Sequence, residues 1–152
     1  MSFNSHGNRN GFFDSFEHRT LSFKESVSRI KSSDGFDSSQ PVVTSACELA
    51  LWPNAGKFAK ELGTSFYAAD GYVFQGRNVA GGVTYTASSS DKEPKYDREF
   101  FQFRSDGTRS DNGFKSITIG KDGTVTFKKE VQVAGSRIGR TVEISCKDGK
   151  CK

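Results

Sequence analysis

Ligands for a metal are scarce in this chain, which has two histidines and three cysteines in 152 residues. His6 and His18 lie near the start and Cys146 and Cys151 near the end, and neither pair has a second pair at metal-ligand spacing. No metal and no cofactor is therefore expected. Cys146 and Cys151 also depart from the CxxC spacing of thiol redox enzymes, although the Lys-Asp-Gly-Lys turn between them permits a disulfide. Cys47 stands alone in an apolar stretch and reads as a buried, unreactive thiol.

Long apolar runs are missing too. No stretch approaches the roughly 18 to 20 apolar residues that span a bilayer. The opening "MSFNSHGNRNG" lacks the apolar segment of a secretory signal. The expectation is a protein without a membrane span, cytoplasmic or assembled into a particle.

Catalytic motifs are equally thin. "NAGKFAK" contains Gly-Lys, yet Leu51 stands where a phosphate loop needs its first glycine and Phe58 where it needs Ser or Thr. There is no HExxH, GxSxG or EF-hand loop. His18 follows Asp14 at a helical hydrogen-bonding interval, but no sequence feature brings a nucleophile, a base and an orienting group together. No catalytic residue is assigned, and an enzyme is not the favoured reading.

What the chain does have is rings. Hydrophobic residues make up only 34% and mean hydropathy is −0.60, yet 14 Phe, four Tyr and one Trp supply large apolar surfaces from few positions. The core should be aromatic. Residues 1–90 hold eight basic and eight acidic side chains, so the whole net charge of +4 lies in residues 91–152. Acids interleave with the bases there, which dilutes any field that would draw nucleic acid.

The chain reads as a flexible polar arm over 1–11 followed by one α+β domain over 12–152. Phe12, Phe16, Phe23, Val27 and Ile30 recur at helical steps, so an amphipathic helix is expected over 12–31, with Asp14 as N-cap and Glu17 completing a capping box. A Ser/Asp-rich linker covers 32–41. A helical region follows over 45–62, started by Ser45 and Glu48, interrupted by Pro53 and closed by Gly63. Strands are expected near 64–68, 72–77, 82–87, 98–104, 114–119, 124–134 and 138–146, with a tail over 147–152. Short connections imply N-terminal helices packed on one face of a curved antiparallel meander of six or seven strands.

The run "REFFQFR" at 98–104 poses the sharpest question. Strand parity puts Phe101 and Phe103 on the apolar face and Phe100 on the polar face with Arg98 and Arg104. Phe114, Lys115 and Lys128 join it, and rings among cations are the chemistry of base stacking. The same pair of rings is also an ordinary cross-strand contact or a protein interface, and Glu130 and Glu143 on that face oppose a polyanion.

Three functions are compatible with these features. The leading one is a non-enzymatic component that binds other protein subunits, a structural or assembly element of a virus particle or another large complex. It would clasp its neighbour through Phe12, Phe16, Phe23, Val27 and Ile30. The second is single-stranded nucleic-acid binding on the polar sheet face, and the third a small-ligand carrier or enzyme with a pocket between helix and sheet.

Overall fold

The computed structural model describes residues 2–132, 139–147 and 150–151. The elements run β1 (Ser2–Phe3), β2 (His6–Asn8), β3 (Gly11–Asp14), β4 (Arg19–Thr20), α1 (Phe23–Lys31) and β5 (Val42–Thr44). After a 3-10 turn at Leu49–Leu51 come α2 (Ala55–Leu62), β6 (Phe66–Ala69), β7 (Tyr72–Arg77), β8 (Val83–Ser88) and β9 (Phe100–Phe103). The chain ends with β10 (Ser116–Ile119), β11 (Val125–Gln132), β12 (Gly139–Lys147) and β13 (Lys150–Cys151). The connection between the strands expected at 124–134 and 138–146 lies in residues 133–138, outside the described residues.

The class is α+β, but the sheet is not one meander. Strands order as β1-β5-β6-β9 in a mixed four-stranded sheet, as β13-β12-β11-β10-β8-β7 in an antiparallel six-stranded sheet, and as β2-β3-β4 in a small third sheet. β9 leaves the antiparallel run to pair with β6, and β10 returns to pair with β8. β5 and β6 are parallel and joined through α2, the crossover that parallel pairing requires.

The four-stranded sheet forms a middle layer. Val42, Phe66, Ala68 and Phe103 point to one core with the helices, whereas Val43, Tyr67, Ala69 and Phe100 point to a second core with the six-stranded sheet. A strand buried on both faces needs no polar alternation, which is why β5 reads VVT and β6 reads FYAA. Among the described residues, the six-stranded sheet gives only one face to the inter-sheet core. Tyr85, Ile117 and Phe127 point in, while Thr84 bonds Thr118 at 2.9 Å and Thr126 bonds Ser145 at 3.1 Å on the outside.

The helical-side core is a continuous set of rings. Phe58 on α2 touches Phe66 edge-on at 4.9 Å and Trp52 and Phe12 at 5.5 Å each, measured between ring centroids. Edge-on and tilted aromatic pairs add about 0.5–1.5 kcal/mol apiece to the burial itself. α2 lies so close to the turn after β9 that a Cβ at Gly56 would collide with the Gly107 carbonyl.

The helix expected over 12–31 is corrected to its second half. Residues 11–20 form the β3–β4 hairpin, and α1 starts at Phe23. Asp14 does accept bonds from the Phe16 and Glu17 N–H groups, at 2.9 and 3.0 Å, but these close a strand-to-strand turn. The capping box belongs to Ser22 and Glu25. Ser45 and Glu48 likewise cap nothing, because Glu48 is left-handed at φ 59° and leads only into the 3-10 turn. Pro53 precedes α2 and Gly63, at φ 72°, closes it.

The polar arm is also ordered differently from its composition. β1 pairs in parallel with β5, and Phe3 sits edge-on to Phe12 at 5.6 Å. Tyr85 ties this segment to the six-stranded sheet through Ser2 at 2.8 Å and Asn4 at 3.0 Å.

Candidate functional site: a braced hairpin presenting Phe16

The β3–β4 hairpin is short, with Phe13 opposite Thr20 and Asp14 opposite Arg19. Four residues, 15–18, make its tip, and His18 adopts the left-handed conformation at φ 55°. A non-glycine residue there costs energy that surrounding contacts must offset. They are supplied by a compact set of ionic and hydrogen-bonded groups.

Asp14 is the inner brace. One carboxylate oxygen holds the two tip N–H groups, and the other pairs with Arg29 of α1 at 2.9 Å. The Glu17 N–H, Arg29 and the Phe16 N–H together hold its carboxyl below the usual range despite a smaller opposing effect of burial.

Arg19 is the outer brace. It grips both carboxylate oxygens of Glu25 at 2.9 and 2.6 Å and reaches Glu17 at 2.6 Å. Such a fork fixes direction as well as distance. Glu25 is pulled down to about 2, by Arg19 first and by the Ser22 cap next, and Arg19 is raised in turn by Glu25 and Glu17. Both groups stay charged at neutral pH.

α1 provides the anchorage. Ile30 is fully buried, and Phe23 and Val27 pack against the same core as Trp52 and Phe58. Two ion pairs, Asp14–Arg29 and Arg19–Glu25, therefore fasten the hairpin to a helix that is itself docked. On this fixed support Phe16 is 95% exposed.

The five residues expected to form one apolar stripe thus divide. Phe12 and Ile30 are interior, Phe23 and Val27 line the same core, and Phe16 alone faces solvent. The stacking face divides as well. Phe100 is 0% exposed and belongs to the inter-sheet core, opposite the polar side expected for it, because β9 lies in the middle layer. Phe114 bridges to Phe100 and faces Tyr67 and Phe127 at 6.1 and 5.2 Å.

The cations do not gather around those rings. Arg98 and Arg104 are exposed at the two ends of β9, Lys115 pairs with Glu99 at 3.8 Å and Lys128 with Glu143 at 3.3 Å. Cys146 and Cys151 face each other across β12 and β13 as a disulfide, and Cys47 is a free, half-buried thiol that burial pushes up. No hydrogen bond joins Cys47 to His18 among the described residues. Among these residues no group of three His, Cys, Asp or Glu side chains is arranged to hold a metal, and no helix is long and apolar enough to cross a membrane.

The bracing residues Ser22, Glu25, Arg19 and Arg29 carry a partial signal in sequence. "SFKE" is itself an S-x-x-E capping box, placed where α1 begins. The ion pairs to β3 and β4 have no local signature, since they depend on the hairpin folding back onto the helix. In comparison with known proteins, no family model, curated protein or solved structure matches the chain.

Proposed function

We propose that the chain is a non-enzymatic protein-binding component, a structural or assembly subunit that engages another protein through the β3–β4 hairpin with Phe16 as its anchor. The observation that carries this reading is the combination at residue 16 of near-complete exposure and a doubly braced support. An exposed aromatic ring on a braced backbone spares the hairpin much of its ordering cost on burial and brings a large apolar area, the usual profile of an interface hot spot. Glu17, His18 and Arg19 around it form the polar, exposed rim that surrounds such anchors.

The partner implied is a protein surface with an apolar pocket sized for one ring. Light-scattering mass on a sizing column, with protein and its native complex purified without nuclease, tests this. Assembly that exceeds the 16.7 kDa chain and is lost on Phe16→Ala, with unchanged melting, supports the reading. A Phe16→Ala protein that assembles as the parent does overturns it.

A further inference from the structure

The two sheets do not close on each other along their whole length. Where β6 and β9 face β11, β12 and β13, a cleft of about 250 Å³ opens between the layers, with the Cys146–Cys151 disulfide at its rim. Its apolar wall is Val125 and Phe127, and its polar groups include Tyr67, Gln102 and Ser65. In a chain whose residues are 26% charged, no charged side chain lines it among the described residues.

Tyr67 makes the cleft more than a packing gap. The residue is 8% exposed and its ring stacks on Phe127 at 4.6 Å. Its hydroxyl has no hydrogen-bond partner among the described residues, whereas Gln102 beside it is fixed by a 3.0 Å bond from Nε2 to Ser65 Oγ. No described side-chain polar atom is both sealed from solvent and unpartnered, so this hydroxyl opens to the cleft. Burial pushes the phenol up to about 12, against a smaller pull from Arg104, so it remains a donor at neutral pH. Open to the cleft, the hydroxyl is free to bond water, and a ligand acceptor there exchanges that water for a direct bond in a largely enclosed site.

We propose that this cleft binds a small neutral molecule with a planar apolar body and one carbonyl-type acceptor, its ring against Phe127 and Val125 and its acceptor on the Tyr67 hydroxyl. The size of the cleft sets the scale. Drug-sized ligands occupy pockets of about 300–1,000 Å³, so a smaller space suits a single-ring compound. The lining, uncharged among the described residues, sets the charge, because an ion brought against it would lose water and meet no counter-charge from those residues.

Benzamide is the probe, titrated into isotope-labelled protein by NMR, with benzoate and benzylammonium as charged counterparts of similar shape. Benzamide at millimolar concentration should shift the amides of residues 65–67, 102 and 125–127, and both ions should bind at least about tenfold more weakly. Tyr67→Phe should weaken benzamide about five- to tenfold with unchanged melting, and Val125→Trp, which fills the cleft, should abolish the shifts. Should Val125→Trp fail to fold, the Tyr67→Phe titration decides alone. Absence of benzamide shifts at these residues, equal binding of benzoate, or Tyr67→Phe binding as the parent does would each overturn the proposal.

Discussion

The two sides of the middle sheet are packed by different means. On the helical side, Phe12, Trp52, Phe58, Phe66 and Phe103 interlock through edge-on and tilted contacts beside α1 and α2. On the other side, small residues, Ala69 and Ala87, let the sheets approach, and the large rings Tyr67 and Phe127 stack next to an opening. Helices are adjustable layers, because side chains around a cylinder can fill uneven space. Two sheets meet as fixed surfaces, and where their edges diverge a gap stays.

Replacing one ring on each side tests this contrast most strongly. Phe58→Ala should cost about 3–5 kcal/mol, because its neighbours are rings already held from several directions. Phe127→Ala should fall at the lower end of that range, since a hole beside the cleft opens to water. Denaturant midpoints at constant m-value measure both, and the reverse ordering would break the comparison.

Acid should separate the braced hairpin from both cores. Glu25 titrates near 2 instead of its ordinary 4.5. A lowered carboxyl contributes stability at pH values above its ordinary value and loses it as pH falls through the folded one. Melting temperature should therefore drop between about pH 4.5 and pH 2, and Glu25→Gln should flatten that part of the profile. An unchanged profile in the variant would detach the Arg19 grip from stability.

The smallest effects sharpen the comparison further. Tyr67→Phe should leave the midpoint within about 0.5 kcal/mol, because the lost hydroxyl has no protein partner to abandon. Phe16→Ala should be equally silent in stability, within about 0.5 kcal/mol, although Phe58→Ala removes the same atoms. A Phe16 variant that unfolds would mean that the ring is covered by its own chain.

Period-two patterning made the C-terminal half legible. β7 spans the expected 72–77, and β8, β10, β11 and β12 lie within a residue or two of their expected positions. Those strands have one wet face, so alternation reports them. The middle layer has none, and β5 at Val42–Thr44 passed unassigned between a linker and a helix. The same lack of alternation misplaced Phe100, since parity tells which residues share a face but not whether the other face meets water.

At the N-terminal end, spacing alone was ambiguous. Phe12, Phe16, Phe23, Val27 and Ile30 fit a helix over their whole length, and only the second capping box, Ser22 to Glu25, marks where it starts. The sequence showed Phe16 as one of five apolar positions. Its separate role emerges from the turn that Asp14 closes beneath it.

The order of strands in the middle layer also governs when that layer can exist. Its four strands come from residues 2–3, 42–44, 66–69 and 100–103, so it gathers distant parts of the chain. The β7–β8 hairpin needs only its own turn to pair, and such hairpins form in about 1–10 μs. Layers built from remote segments must first meet the entropy of closing long loops. On a ribosome, the middle layer stays incomplete until Phe103 has emerged, so Phe66 and Tyr67 lack their β9 neighbours while residues 68–103 are made.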